Sequence, residues 1–213
     1  MAKVTAPLLS FSAPGAIAKT QVYSRWRGIP YVRQHVIPSN PQTADQSKTR
    51  NVFSWVNGVF KLMSTDAQAP WVGYSKGKPL TSRNACLKFN VAALRSATES
   101  DDFVASPGSG GGQALASASA ANSAGTVTVT TTVPTLPAGW TVTNVTAMLM
   151  PQVNPQTDTA YITMTETDEA TPFAPAFTDV AAGTYDWFAW AVYLKPDGST
   201  AYGPSSSGTV TVS

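Results

Sequence analysis

The residue types that carry most enzyme chemistry are nearly missing from this chain: His35 is its single histidine and Cys86 its single cysteine. With one of each, no His/Cys metal cluster and no histidine-based triad can be assembled within one chain. An intrachain disulfide is excluded as well. His35 sits in a strand-like basic segment and Cys86 on a predicted helix, so both read as structural residues. Paired carboxylates could still hydrolyse a glycan. The acids, however, occur as short local runs, Glu166, Asp168 and Glu169 within TETDEATP and the pair Asp101-Asp102. Runs of this kind read as solvated turns, with weak calcium binding as the alternative. The glycines at 108 and 110–112 follow no strand pattern and lead into Ala/Ser sequence, unlike a phosphate-binding loop. The expectation is a protein that is not an enzyme, with no catalytic residue, no cofactor and no metal.

Binding chemistry is better represented. Arg25, Arg27 and Arg33 interleave with Tyr23, Trp26 and Tyr31, and this mixture suits a carboxylate-rich protein surface, where Arg and aromatic side chains dominate hot spots. It could also stack bases and neutralise phosphates. Protein docking is preferred over nucleic acid, because no recognised nucleic-acid fold surrounds the cluster. Further along, Trp187 and Trp190 alternate onto opposite faces of one predicted strand. One face fills a core; the other is expected to meet a loop, a strand or a neighbouring subunit. Trp187, Trp190 and Tyr202 are also the stacking platforms that a carbohydrate-binding module would use.

The charge distribution separates two regions. Residues 1–110 carry 13 Lys/Arg against 5 Asp/Glu, a charge of +8, and residues 111–213 carry one lysine against 7 acids, a charge of −6, behind a net +2. Such a split offers the basic half to an acidic neighbour. Charged residues make up only 12% of the chain, against 43% hydrophobic and 10% aromatic. That balance fits a turn-rich, mainly β protein with real cores. No segment has the roughly 20 continuous apolar residues that a membrane span requires.

The elements that position these residues follow from periodicity. Residues 1–14 read as an extended arm, since Pro7 and Pro14 interrupt an apolar run that would otherwise resemble a signal peptide. Two strands are predicted within 15–36, broken at Arg27-Gly28-Ile29-Pro30, with Tyr31, Arg33 and His35 on one face of the second. Thr43 and Gln46 form a capping box. Val52, Phe53, Val56, Val59, Phe60 and Met63 then recur at helical spacing. Pro70, Gly73, Gly77 and Pro79 predict a loop over 65–80, and a second helix follows Ser82, striped by Leu87, Val91 and Leu94. The whole of 15–105 therefore reads as a basic α+β docking domain with a thin core.

A low-complexity Gly/Ser/Ala stretch over 106–124 reads as a flexible linker. From residue 125 the period becomes two. Val127, Val129 and Val133 alternate with threonines, and a parity switch between Val142 and Val145 predicts a bulge near Thr143-Asn144. Further strands are predicted at 160–165, 185–194 and 208–212, suggesting a β-sandwich over 125–213. The fold class is mainly β: an arm, a hairpin and two helices, then the sandwich.

Two resemblances extend this reading. Ala182-Gly183-Thr184-Tyr185, the aromatic strand, Lys195-Pro196-Asp197-Gly198 and Tyr202-Gly203-Pro204-Ser205 resemble the last hairpin of fibronectin type III modules, which implies an immunoglobulin-like or fibronectin-like sandwich. Gly15, Tyr23, Trp26-Arg27-Gly28, Tyr31-Val32-Arg33, Asn40-Pro41-Gln42-Thr43, Gln46, Arg50, Phe53, Trp71 and Asn84-Ala85 resemble a group of tailed-bacteriophage virion proteins. That likeness implies a structural protein of the virion, a capsid decoration or cement protein or else a tail component. Its partners would be phage capsid or tail proteins, and it would be present in repeated copies or as a homo-oligomer.

Overall fold

One folded unit ends at Gln42 and another begins at Thr43. The computed structural model describes residues 2–3, 15–17, 20–26, 29–37, 39–40, 42–158 and 162–213, and it divides into compact units Met1–Gln42 and Thr43–Ser213. Strands predominate over helices.

The first unit is an antiparallel sheet of β1 (Ala2–Lys3), β2 (Gly15–Ile17), β3 (Gln21–Trp26) and β4 (Ile29–Gln34), in the order β1-β4-β3-β2. The predicted hairpin is its centre, β3 pairing with β4 from Gln21↔Gln34 to Trp26↔Ile29. Past β4, the His35 amide donates to the Thr20 carbonyl at 2.8 Å. Of the arm expected over 1–14, Ala2 and Lys3 pair with Val32 and Tyr31, and the rest lies outside the described residues.

In the second unit, α1 (Ala44–Leu62) starts where the capping box places it, with the Thr43 hydroxyl accepting from the Gln46 amide. Val52, Val56, Val59, Phe60 and Met63 are buried as the periodicity requires, while Phe53 is 52% exposed. Trp55 takes the inward position instead and is fully buried. Helix α3 (Ser82–Leu94) is the predicted second helix. Between them, the expected loop is largely a third helix, α2 (Thr65–Ser75), which contains Pro70. It is held from outside its own sequence. Ser64 caps its start by accepting from Ala67, and Ala67, Pro70 and Trp71 are buried, so tertiary burial outweighs the ordinary helix-breaking cost of proline. Gly73 lets α2 lie on the sheet, since a Cβ there would stand 2.7 Å from the Ser109 hydroxyl oxygen.

The stretch expected to be a linker is structured. Pro107–Ser109 forms β5 and Ser117–Ser123 forms β6. The Ser106 hydroxyl donates to the Gly203 carbonyl at 2.6 Å, and the Ser106 carbonyl accepts from the Ser205 amide at 3.0 Å. At Gly112 a Cβ would stand 2.2 Å from the Tyr202 carbonyl oxygen. Here the small residues permit close backbone crossing, which composition does not distinguish from flexibility. The division expected between 15–105 and 125–213 is corrected accordingly: the helices share one unit with the sandwich.

Strands β7 (Thr126–Thr132), β8 (Thr141–Pro151), β9 (Met164–Asp168), β10 (Ala176–Phe177), β11 (Gly183–Leu194), β12 (Thr200–Pro204) and β13 (Ser206–Val212) complete the second unit. A three-stranded sheet runs β10-β7-β6; a six-stranded sheet runs β5-β12-β11-β8-β9, with β13 also on β11. The register of β8 on β11 shifts from Val192↔Asn144 to Tyr193↔Val142, which places the predicted bulge at Thr143. The two sheets enclose one core, including Val127, Val129, Phe177, Leu149, Trp187 and Tyr193. The three helices cover the other face of the larger sheet, burying Trp55, Val56 and Trp71 against Met148, Phe188 and Trp190. The result is three layers with two cores, separated by a sheet whose central strand is apolar on both faces.

Candidate partner interface

Three titratable groups of the second unit, Cys86, Asp168 and Asp186, are held by the fold around them. Cys86 is fully buried, and burial pushes its thiol up to about 12, against a lowering contact from the Asn90 amide at 3.4 Å. That removes the thiolate needed for nucleophilic chemistry. In the TETDEATP segment, expected to be a turn, residues through Asp168 belong to β9. The Asp168 carboxylate accepts from the amides of Ala174 at 2.7 Å and Ala170 at 2.9 Å, which hold it below its usual range. It fastens the end of the strand. Among the described residues, no group of three His, Cys, Asp or Glu side chains could hold a metal ion.

Asp186 carries no signal in the sequence beyond being an acid in an aromatic strand, yet it is completely buried. Burial raises its carboxyl to about 6; the Ser100 hydroxyl, which donates to it, opposes the rise, and nearby Asp101 and Glu99 add to it. The Gln152 amide also donates to Asp186 at 3.2 Å, and Ser100 accepts from the Val153 amide at 3.1 Å. This network ties the 3-10 turn Ser100–Asp102 to the central strand β11 and to the chain just past β8. Both Asp186 oxygens and the Ser100 hydroxyl are thus hydrogen-bonded within the fold.

The two tryptophans expected at a partner surface are corrected. Trp187 is 5% exposed and Trp190 not at all. Trp187 lies between the sheets and Trp190 lies under the helices. Tyr202, the third candidate platform, is half-buried, with its ring 3.2 Å from where a Cβ on Gly73 would stand. The sequence announces the two-sided strand, but not that the chain's own helices cover its second face.

The basic-aromatic cluster remains on the surface, and the register divides it. Directly opposed residues share a face. Val22↔Arg33, Ser24↔Tyr31 and Trp26↔Ile29 therefore place Trp26, Ile29, Tyr31 and Arg33 together. Tyr23↔Val32 and Arg25↔Pro30 place Tyr23 and Arg25 on the reverse face. Arg27 lies outside the described residues. Trp26 is 64% exposed and Ile29 43%, and beyond the sheet Val36 and Ile37 are also exposed. No side chain of β3 or β4 is buried. Residues 1–42 contain five Lys/Arg and no Asp or Glu, a purely cationic composition that marks this segment more sharply than the spacing of its arginines.

No protein-family model, no characterised protein and no solved structure matches the chain. Among the described residues, no helix is long and apolar enough to cross a membrane.

Proposed function

We propose that the chain is a non-enzymatic structural protein of a bacteriophage particle, a capsid decoration protein that docks through its basic N-terminal segment. The observation carrying the docking half of this reading is the central hairpin β3–β4, in which no side chain is buried and Trp26 and Ile29 stand side by side on the surface. A sheet needs a covered apolar face to be stable by itself. A cationic sheet that exposes aromatic and aliphatic side chains is suited to an acidic protein surface. The phage half rests on the likeness of residues 15–95 to tailed-phage virion proteins.

The second unit suits a rigid body carried on such an anchor. Support for an immunoglobulin-like or fibronectin-like sandwich comes from its strand order, β10-β7-β6 facing β13-β11-β8-β9. The Tyr185 hydroxyl adds to it, donating to the Ala181 carbonyl at 3.0 Å. A tyrosine at the start of that strand bonded back to a nearby carbonyl is a recurrent corner of such sandwiches.

Labelling the chain on intact particles tests the proposal. Dense label repeating with icosahedral symmetry is the expected result. Axial label would move the protein to the tail, and absence from particles would overturn the virion reading. Tight binding to bare DNA that weakens steeply with salt would replace docking on protein by docking on nucleic acid.

A further inference from the structure

The outer faces of α1 and α3 meet in an open groove of about 510 Å3. Its floor is apolar, formed by Phe53 of α1 with Leu87, Val91 and Ala92 of α3, and its rim carries Lys88 and Arg95. Among the described residues, no carboxylate lines it. Phe53 belongs to the helix's apolar pattern and yet is half-exposed here. Lys88 of α3 and Arg95, the residue capping its C-terminus, are seven residues apart, so their Cα atoms are separated by about 10.5 Å along the helix axis.

We propose that this groove receives strand β9 and the turn after it from a second copy of the chain. Charge complementarity selects that occupant. The C-terminal region from residue 111 has seven acids against one lysine, and β9 with its following turn holds three of them within four positions. Glu166 and Glu169 are exposed, while Asp168 between them is already bonded to Ala170 and Ala174. Ile162, two residues before β9, is 62% exposed and supplies an apolar group for a floor that already exposes Phe53. Strand β9 lies at the end of its sheet, paired with β8 on one side only among the described strands.

The two surfaces are different, so the contact is heterologous. Repeated head to tail, it closes a ring or continues as an array, according to the rotation between copies. The apolar floor supplies affinity, and the charge pairs supply register and steering. This goes beyond docking to the particle, because it joins decorating copies to one another through the second unit and leaves the N-terminal sheet to hold the particle.

Sedimentation of the full chain tests it, with a charge exchange as the deciding step. The wild-type chain should self-associate with concentration, and the association should weaken as salt is raised. K88E/R95E and E166K/E169K should each weaken association about tenfold or more while keeping the wild-type thermal transition, and mixing the two should restore it. If a reversal lowers that transition, K88A/R95A and E166Q/E169Q give the same reading without a reversed charge. A wild-type chain that stays monomeric at every concentration would overturn the proposal. So would association untouched by both variants, or variants that do not complement when mixed. Particle binding measured on the same variants keeps the two proposals apart: a monomeric variant that still binds particles is expected here, whereas loss of particle binding through Arg33 belongs to the N-terminal sheet.

Discussion

Trp187 and Trp190 lie three residues apart on one strand and belong to different hydrophobic cores, Trp187 between the two sheets and Trp190 beneath the helices. Strand β11 is thus the shared wall of the second unit. Its helix side continues through an aromatic chain: Phe188 packs edge-on to Phe103 at 5.6 Å, and Phe103 edge-on to Trp55 at 5.8 Å.

Truncating either tryptophan should therefore destabilise the same unit. Trp187→Ala and Trp190→Ala are each expected to cost about 3–5 kcal/mol and to lower the thermal midpoint together with loss of both sheet and helix signals. Thermal unfolding followed by circular dichroism checks this. A Trp190→Ala chain with an unchanged midpoint but lost association would restore a partner-facing role for that side chain.

Limited proteolysis should cut near residues 36–43, where Val36, Ile37, Asn40 and Gln42 are exposed at the end of the first unit. A fragment close to 43–213 should survive, because the paired backbone of 106–124 is protected. Mass analysis of the products decides between this and early cleavage inside 106–124, which would contradict the pairing of β5 and β6.

Asp186 makes stability depend on pH in the direction opposite to most carboxylates. Its folded-state pKa is raised to about 6, above the value near 4 of an unfolded chain. The stabilisation linked to its proton is fully present below about pH 4 and is lost as pH rises through about 6. The change is on the order of 2 kcal/mol. Asp186→Asn should flatten the stability profile over that window in denaturant titrations at several pH values, since its amide oxygen can still accept from the Ser100 hydroxyl. A profile identical to wild type would show that Asp186 does not titrate there.

The division of the N-terminal sheet predicts unequal effects from its two faces. Trp26→Ala with Arg33→Ala should weaken particle binding about tenfold or more, whereas Tyr23→Ala with Arg25→Ala on the reverse face should change it less. Neither pair should move the thermal midpoint of the second unit. Binding isotherms of the two double variants on particles make the comparison; equal losses would mean that both faces of the sheet are covered.

Local rules determined much of this protein from sequence alone. Thr43 and the stripe from Val52 to Met63 specify α1, because capping and 3.6-residue periodicity are properties of the chain within one helix. The parity switch between Val142 and Val145 specifies the bulge, and the alternation in β4 specifies which side chains share a face. Only the tertiary structure decided what covers each face. Periodicity states that β11 is apolar on both sides, but whether helices, a sheet or another subunit covers it depends on contacts between Trp190 and residues over a hundred positions away. The same limit explains the Gly/Ser/Ala stretch and Pro70. A glycine needed because another backbone passes at Tyr202 is the same letter as a flexible one, and a proline's helix cost is overcome only by burial that its neighbours do not encode.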